Sequence, residues 1–407
     1  MSGPLQNLRV LDLTRTLAGP WATQSLADLG AEVIKVERPG IGDETRTWGP
    51  PWLRDREGRE TRESAYFLST NRGKKSVTVD LAQPAGRKLV RDLAARSDVL
   101  VENFKVGDLA RFGLAYEDVR RLHPGIVYCS VTGFGQTGPH ASRPAYDLVL
   151  QGMGGLMSIT GERDDRPGGG PQRVGIAVTD VVTGMYAALA IAAAIAHRER
   201  TGAGQYIDLA LFDSIVAFCS NQILSYWCSG LVPSRHGNAH PNIVPYEVFR
   251  AADRAIVLAV GNDGQFAAFC RVAGRAELAT DPRFRTNPDR VRNREILVPR
   301  VAEIVRERSS GDWVHALTEA GVPCGLVNDL SQVFEDPQAV QRGLQIEIPH
   351  PAGVPCPTVA SPMRFSATPV AYEIPPPLLG QHTREVLGGI LGLSRAELDA
   401  LATQGVI

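Results

Sequence analysis

The 407-residue sequence has no strong imbalance of charge. Its 43 Lys and Arg residues nearly cancel its 44 Asp and Glu residues, which gives a formal net charge of -1 at pH 7. A chain without a basic excess has no general attraction to nucleic acid or to an anionic membrane surface. We therefore expect neither as a main partner, and any positively charged site must be local.

Cysteine is scarce and scattered. The six cysteines include no C-x-x-C pair, so the pattern predicts neither a disulfide framework nor a thiolate zinc site. The first residues lack the charged start, long apolar segment and cleavage site of a secretory signal, and they do not form an Arg- and Ser-rich leader. We expect a cytoplasmic protein without a bound metal.

Several familiar catalytic and nucleotide-binding motifs are missing. No G-x-G-x-x-G follows the first predicted strand, and residues 71–76 (NRGKKS) resemble the end of a P-loop but have Leu68 where the motif needs glycine. There is also no G-x-S-x-G, H-E-x-x-H or EF-hand pattern. His236 and His240 are four residues apart, but the glycine and asparagine between them favour a loop over a metal-binding helix. What remains is a carboxylate, glycine-rich loops and local cations.

Residues 181–196 form a long uncharged run rich in Ala, Gly, Val and Ile. It predicts a helix packed closely on all sides. Asp180 directly precedes this run, so we expect its carboxylate at the helix N-terminus, where unpaired N–H groups and the helix dipole favour the ionised form at pH 7. A plain helix cap is the alternative role. A membrane span is a third interpretation, but the run is shorter than the roughly 20 residues a bilayer needs, which favours a buried helix.

The first half of the chain alternates between predicted strands and helices. Strands are predicted at residues 8–13, 32–37, 76–81, 98–102 and 126–131, with amphipathic helices after the first and third. This β-α-β succession predicts an α/β fold with a doubly wound, Rossmann-like parallel sheet.

The later part of the chain has a different composition and a different pattern of predicted elements. A strand at 255–260, a loop at 261–265 and Arg- and Glu-rich helices up to about residue 338 predict a smaller α+β domain. From residue 343 many prolines favour an extended segment. We expect a large domain in residues 1–215, a linker in 216–240, a small domain in 241–340, and a tail in 341–407 that returns to the large domain.

Polar and basic residues cluster where the predicted strands end, beside Phe104. Ligands of open α/β sheets bind at those carboxyl ends. We expect the group to suit a ligand with several phosphates and an aromatic base, with solvated surface cations as the alternative. The members of the group are Arg15, Arg38, Arg72, Lys74, Lys75, Asn103 and Arg111.

Eight segments carry a family resemblance across nearly the whole chain. They are LDLTRTLAGP, ADLGAEVIKVERPGIGD, STNRGKKSVTVDL, VENF, AYDLVLQGMGGLMSITG, GIAVTDVVTGMYA, RTGAGQYIDLALFD and GQHTREVL. Together they resemble the class III CoA-transferases, the family that includes formyl-CoA transferase, carnitine CoA-transferase and α-methylacyl-CoA racemase.

The resemblance implies an enzyme that moves CoA between carboxylic acids. Asp180 matches the family's catalytic aspartate, which forms mixed-anhydride and aspartyl-CoA thioester intermediates. CoA thioesters are then substrates, and no permanently bound cofactor is expected. The implied CoA contacts are Arg15, Thr16, Leu17, Ala18, Arg38, Arg72, Lys74, Lys75, Asn103, Phe104 and Arg111.

The resemblance also implies substrate-side elements and an assembly. The substrate-side elements are Trp48 and the loop Gly261, Asn262, Asp263, Gly264 and Gln265. In formyl-CoA transferase that loop is a run of glycines, so the two polar residues here leave its gating role open. The implied assembly is an interlocked homodimer in which each chain forms a ring threaded by the other.

Two features of the resemblance bear on the reaction. Racemases of the family carry a Gly-His-Asp segment whose histidine moves the α-proton, whereas the matching segment here is Ala145-Tyr146-Asp147. Without the imidazole, transfer is favoured over racemisation. A noncatalytic acyl-CoA-binding protein is the other alternative.

For the substrate, GDETRTWGPPW and HGNAHPNIVPYEVF most resemble the branch that uses succinyl-CoA and dicarboxylic acids such as glutarate. The second carboxylate of such an acid needs a cation, and a structural salt bridge is the alternative role of each candidate arginine. The sequence leaves the physiological acid pair open. The candidates are Arg46, Arg143 and Arg173, with His240 as a polar neighbour.

Overall fold

The structure is a computed structural model that describes residues 3–407. Its strands are β1 (Arg9–Asp12), β2 (Glu32–Glu37), β3 (Trp52–Arg54), β4 (Glu60–Ser64), β5 (Lys74–Thr78), β6 (Val99–Glu102), β7 (Val127–Thr132), β8 (Tyr206–Ala210), β9 (Tyr246–Arg250), β10 (Ala255–Ala259), β11 (Cys324–Leu326), β12 (Gln345–Pro349) and β13 (Pro355–Val359).

The helices lie between and after these strands. They are α1 (Ala18–Asp28), α2 (Ala65–Leu68), α3 (Pro84–Ala94), α4 (Tyr116–Leu122), α5 (Asp147–Met153), α6 (Leu156–Ile159), α7 (Val178–Thr201), α8 (Leu211–Phe218), α9 (Ser220–Ser229), α10 (Asp263–Val272), α11 (Ala276–Thr280), α12 (Asn287–Arg292), α13 (Arg294–Arg306), α14 (Ser310–Glu319), α15 (Leu330–Glu335), α16 (Pro337–Gln341), α17 (Thr383–Leu391) and α18 (Arg395–Thr403). Short 3-10 turns occupy Glu44–Thr47 and Leu109–Phe112.

Six strands form a central sheet in the order β5-β2-β1-β6-β7-β8, and every neighbouring pair is parallel. The chain first builds outward through β1, β2 and β5, and then returns beside β1 as β6. The strand order therefore reverses between β1 and β6, which is where open α/β sheets bind ligands at their carboxyl ends. The predicted α/β class with a parallel sheet is confirmed.

Alternate residues of the sheet face two separate helical layers. Val10 and Val33 pack with α1 and α7 on one face, whereas Leu11 and Ile34 pack with α3, α4, α17 and α18 on the other. Because both faces are covered, the strands are nearly continuous hydrophobic runs. This burial fixes the sheet as the rigid support for the loops at its carboxyl edge.

The strand β5 starts earlier than the predicted 76–81. Gly73, with a φ of 77°, makes the turn before it, and the strand begins directly afterwards. In the parallel register, Val33 pairs with Lys74 and Glu37 with Thr78. Lys74 and Lys75 therefore lie at the amino end of β5, and the prediction that they follow a carboxyl end is wrong.

The helix α7 is longer and less enclosed than predicted. Gly184 lies against the start of α1, where a Cβ atom would be 2.6 Å from the Ala18 carbonyl oxygen. Its opposite side is open, since Met185 is 60% and Leu189 is 66% exposed. The expectation of burial on all sides is therefore wrong for the single chain.

Within residues 3–407, α7 is the one helix that is long and apolar enough to cross a membrane, with a mean hydropathy of 1.8 and 44% of the tested window buried. Core helices of soluble proteins meet the same criterion. The shared core with α1 and the central sheet is the arrangement of such a core helix.

The chain divides into two compact units. The first contains the chain up to Leu156, Val174–Leu224 and Val340–Ile407, and the second contains Met157–Arg173 and Ser225–Ala339. Residues 157–173, which we expected in the large domain, thus belong to the second unit, and 216–240 is divided between the units. One reason is that the Arg235 guanidinium donates to the carbonyl oxygens of Glu162 and Ser158, at 3.3 and 3.2 Å.

The second unit contains an antiparallel sheet in the order β11-β10-β9. Asn287, Arg290 and Arg294 extend from α12 and α13 and donate hydrogen bonds of 2.7–2.9 Å to backbone carbonyls within residues 240–244. The bonds from Arg290 and Arg294 satisfy buried or half-buried backbone oxygens, whereas the bond from Asn287 is exposed. They fix the segment that begins at His240.

The proline-rich part of the chain contains an antiparallel hairpin formed by β12 and β13. After it, Val386, Leu387 and Leu398 of α17 and α18 enter the core on one face of the central sheet. The tail is therefore a structural part of the first unit.

Candidate active site

Asp180 lies between the starts of two helices. The N-cap of α7 is Ala177, so Asp180 is the third helical residue and not the cap. Its carboxylate accepts a hydrogen bond from the backbone N–H of Ala18, the first residue of α1. That N–H has no partner within its own helix, and it lies at the positive end of the α1 dipole. The carboxylate therefore completes the start of α1.

Burial and then the negative charge of Asp147 raise the pKa of Asp180 from 3.8 to about 7, although the Ala18 hydrogen bond lowers it. The expectation that a helix-start position keeps Asp180 fully ionised at pH 7 is therefore wrong, because desolvation outweighs the dipole. Near neutral pH the group is divided between its charged and neutral forms. A perturbed carboxylate of this kind is typical of a functional site.

Asp147 braces the start of α7. Its Oδ1 accepts a hydrogen bond from the Thr179 N–H at 2.8 Å, and its Oδ2 accepts one from Gln151 Nε2 at 2.7 Å. The Gln151 Oε1 in turn accepts a hydrogen bond from the Val174 N–H at 2.9 Å. From the sequence, Asp147 stood out only in the comparison with the racemases. The i,i+4 spacing of Asp147 and Gln151 was the available signal for this brace.

Two aromatic side chains belong to the same region. Burial and then the charges of Asp180 and Asp147 raise the pKa of Tyr66, so its phenol shares their electrostatic environment. Trp48, one of the predicted substrate-side residues, lies edge-on to Tyr66 with ring centroids 5.0 Å apart. Tyr66 was not predicted from the sequence, because it lies in a short apolar segment without a motif of its own.

Cationic and aromatic groups lie at the carboxyl ends of β1, β2 and β6, around the point where the strand order reverses. Arg15 follows β1, and its guanidinium lies 5.2 Å from the centroid of the Phe104 ring, which follows β6. Arg15 also pairs with Glu44 at 3.2 Å, and its side chain is 45% exposed. Arg38 follows β2 and is exposed. Both arginines are accessible to a phosphate-bearing ligand at the carboxyl edge, although Arg15 is also paired with Glu44.

Asn103 holds the loop after β1. Its Oδ1 accepts a hydrogen bond from the Arg15 N–H at 3.0 Å, and its Nδ2 donates to the Arg15 carbonyl at 2.8 Å. Both ends of the amide are therefore engaged with the same residue of the protein. Arg111, predicted in the same group, is 71% exposed and pairs with Asp108 three residues earlier.

Three of the predicted CoA-binding cations are used inside the fold. Arg72 forms a buried ion pair with Asp28 at 2.6 Å, and the Lys74 ammonium is fully buried against Asp12 at 3.1 Å. Lys75 pairs with two carboxylates at about 3 Å, those of Glu32 and Glu385. The family resemblance had implied CoA contacts for all three residues. Because Arg72 and Lys74 are buried with their acidic partners, we assign them to the fold, whereas the Lys75 side chain is 24% exposed.

The three candidate cations for a distal carboxylate differ. Arg46 is buried in a bidentate pair with Glu37, with nitrogen–oxygen distances of 2.7 and 2.8 Å, so it is structural. Arg143 is exposed, and no carboxylate of residues 3–407 lies within 4 Å of it. Arg173 is exposed and belongs to the second unit.

His240 and the predicted 261–265 loop belong to the second unit. The His240 Nδ1 accepts a hydrogen bond from the Asn242 N–H at 3.1 Å. The loop is shorter than predicted, because Asn262 caps α10 by accepting the Gln265 N–H at 2.9 Å, and Asp263, Gly264 and Gln265 form its first turn. The Asp263 carboxylate is also tied to the buried Arg290 at 2.9 Å. Only residues 260–262 connect β10 to α10.

The residues described in the structure, 3–407, contain no group of three or more His, Cys, Asp or Glu side chains placed to hold a metal ion.

Known proteins resemble this chain over nearly its full length. A succinate–glutarate CoA-transferase of Agrobacterium fabrum is 46% identical over 96% of this chain and 97% of its own. A succinyl-CoA:glutarate CoA-transferase of Mus musculus is 44% identical over 99% of this chain and 90% of its own.

Solved structures agree with the sequence comparison. The crystal structure of a CAIB/BAIF family protein from Brucella suis superimposes with a TM-score of 0.84 at 45% identity, covering 96% of this chain and 100% of that one. The sequence profile of CoA-transferase family III matches residues 5–383. The chain belongs to CoA-transferase family III, as the sequence motifs predicted.

Proposed function

We propose that this CoA-transferase moves CoA from succinyl-CoA to a dicarboxylic acid, with glutarate as the acceptor, and that Asp180 is the nucleophile. The observation that carries the proposal is the partly buried Asp180 carboxylate bonded to the first N–H of α1. The names of the Agrobacterium and mouse relatives support the acid pair.

The reaction proceeds by four exchanges of acyl bonds. An Asp180 oxygen attacks the succinyl thioester carbonyl, the C–S bond breaks, and a mixed anhydride and CoA thiolate form. The thiolate then attacks the aspartyl carbonyl and expels succinate, which leaves an aspartyl-CoA thioester. Glutarate attacks that carbonyl and releases the thiolate. The thiolate finally attacks the glutaryl carbonyl of the second anhydride and restores the carboxylate.

The Ala18 N–H serves two purposes in this sequence. It bonds the anionic nucleophile before the first attack, and it donates to the aspartyl oxygen when negative charge develops there in the second and third steps. The raised pKa of Asp180 adds to its nucleophilicity while leaving a substantial ionised fraction at neutral pH.

The crevice between β1 and β6 is the proposed CoA site. The exposed Arg15 and Arg38 face phosphates there, and Phe104 offers a ring next to Arg15. The site keeps the bound thioester at the carboxyl edge of the sheet, on the same side as the loop that carries Ala18.

Arg143 is the proposed partner of the distal carboxylate of the acid. It is four residues before Asp147, whose carboxylate binds the first turn of α7. Its guanidinium lies 5.4 Å from the Phe134 ring centroid and, among the described residues, has no acidic partner. A guanidinium in that state is available for bidentate pairing with a substrate carboxylate.

A homodimer is the proposed assembly, as the family resemblance implies. The open side of α7 exposes Met185, Tyr186 and Leu189, and Phe218 at the end of α8 is 47% exposed. An apolar helix face of this kind indicates a protein partner, and a second copy is the simplest one.

Light scattering should give twice the chain mass of 43.9 kDa, and a mass equal to one chain would refute the dimer.

Asp180→Asn should remove activity while increasing stability at high pH. Loss of the nucleophile should slow glutaryl-CoA formation by roughly 10⁴-fold or more, followed by mass spectrometry. The folded pKa of Asp180 is about 7, above its ordinary 3.8, so ionisation weakens folding as pH rises from about 4 to 7. The variant should therefore gain up to about 4 kcal/mol in unfolding free energy at pH 8, and little at pH 4.

Asp213→Asn is the matched control. Asp213 lies in the first turn of α8 and is exposed, so this change should leave transfer intact and alter stability by less than about 0.5 kcal/mol. Continued transfer by a folded Asp180→Asn protein would eliminate Asp180 as the nucleophile. A protein that binds acyl-CoA without any transfer in the wild type would indicate the binding-module alternative.

Arg143→Gln should raise the KM for glutarate by roughly 10- to 100-fold, the loss expected for one charged hydrogen-bonding pair. The KM for succinyl-CoA with a saturating acceptor should change much less. Steady-state kinetics with glutarate and with a monocarboxylic acid of the same length would separate the two effects. Arg120→Gln, on the exposed face of α4, is the control. An equal loss for both acids would show that Arg143 does not recognise the distal carboxylate.

A further inference from the structure

The turn from Leu13 to Leu17 joins β1 to α1 and places the Ala18 N–H next to the Asp180 carboxylate. Thr16, in the middle of this turn, has a φ of 72°. That left-handed conformation is unfavourable for a β-branched residue and persists only where the surroundings enforce it. The turn is therefore held in place by other groups.

Four charged side chains form a buried charge cluster beneath this turn, consisting of Asp12, Lys35, Asp43 and Lys74. Each is at most 1% exposed. The Lys35 ammonium is 2.9 Å from an Asp43 oxygen, and the Lys74 ammonium is 3.1 Å from an Asp12 oxygen. Two positive and two negative charges thus balance within the interior of the first unit.

Each lysine of the cluster binds a backbone carbonyl, one in the turn and one in the first helical turn of α1. Lys35 Nζ donates to the Thr14 carbonyl at 2.8 Å, and Lys74 Nζ donates to the Pro20 carbonyl at 3.0 Å. The aspartates of the cluster bind N–H groups of the turn. Asp12 Oδ1 accepts the Thr14 N–H at 2.8 Å, and Asp43 Oδ1 accepts the Thr16 N–H at 3.2 Å.

A buried ion pair contributes little net stability, because desolvation of the charges offsets their attraction. Apolar side chains would fill the same volume, but they could not bind the carbonyl and N–H groups of an irregular turn. The cluster therefore fixes the conformation of the turn, and with it the position of the Ala18 N–H that faces Asp180.

We infer that Asp12, Lys35, Asp43 and Lys74 are positioning residues for the transfer reaction, because they hold the β1–α1 turn so that the Ala18 N–H points at Asp180. The inference rests on the proposed function of Asp180. From the other side, α7 approaches at Gly184, so the donor and the acceptor are both fixed by packed elements.

Asp43→Asn tests this inference, since it removes one charge of the cluster without changing side-chain volume. Looser placement of the Ala18 N–H should reduce kcat by roughly tenfold or more. It should also move the ascending limb of the kcat/KM profile upward by roughly 0.5–1 pH unit, because Asp180 loses a hydrogen bond that favours its anion. The KM for succinyl-CoA should stay within about threefold of wild type.

The pH readout reports Asp180 through known neighbours. The titratable groups that face it are Asp147 on α5 and Tyr66 on α2, and the variant alters neither. Asn103→Ser loosens the same turn from its half-exposed outer side, and its pH limb should also move upward. This second variant keeps the test decisive if Asp43→Asn does not fold.

Asp28→Asn is the matched control, because it breaks the buried pair with Arg72 in the same unit without contacting the turn. It should lower stability and leave the pH limb in place. If Asp43→Asn and Asn103→Ser behave like this control while Asp180→Asn is inactive, the positioning inference is wrong and the nucleophile stands. Retained transfer by Asp180→Asn would overturn both.

Discussion

The hydrogen bond from the Ala18 N–H to the Asp180 carboxylate is the contact on which the proposed chemistry depends. It connects the start of α1 with the first turn of α7, and it needs both helices at fixed positions. A glycine at 184 allows the close approach, Asp147 braces α7, and the buried charge cluster braces the turn before α1. Rigid positioning of a donor before charge develops is the main electrostatic means of catalysis.

The same arrangement explains why the carboxylate has an unusual pKa. Helix starts favour an anion, but burial and the neighbouring Asp147 disfavour it more strongly. Several of the basic residues near the sheet do not relieve this, because Arg46, Arg72 and Lys74 are neutralised by their own acidic partners. Asp180 is left with a neutral backbone donor, so its charge remains available for attack on an electrophile.

Sequence reasoning reached the class of fold and the central carboxylate, because hydrophobic runs, turn glycines and the family motifs are local signals. The strand β2 was predicted at its observed bounds, Glu32–Glu37. Prediction from the sequence failed for side chains whose partners are distant in the chain. The basic residues of the turn at 71–76 were predicted to bind CoA. In the structure, Arg72 is paired with Asp28 and Lys74 with Asp12. Likewise, no local pattern shows that desolvation at Asp180 exceeds the effect of the helix start.

The most direct test of covalent catalysis by Asp180 traces oxygen atoms from the acceptor acid to the enzyme. In the proposed sequence, the bridging oxygen of the second anhydride comes from glutarate and remains on Asp180 when the thiolate removes the glutaryl group. Turnover of succinyl-CoA with ¹⁸O-labelled glutarate should therefore place ¹⁸O in the peptide that contains Asp180, detected by mass spectrometry, and in no other carboxylate. Formation of glutaryl-CoA without label in that peptide would contradict covalent catalysis by Asp180.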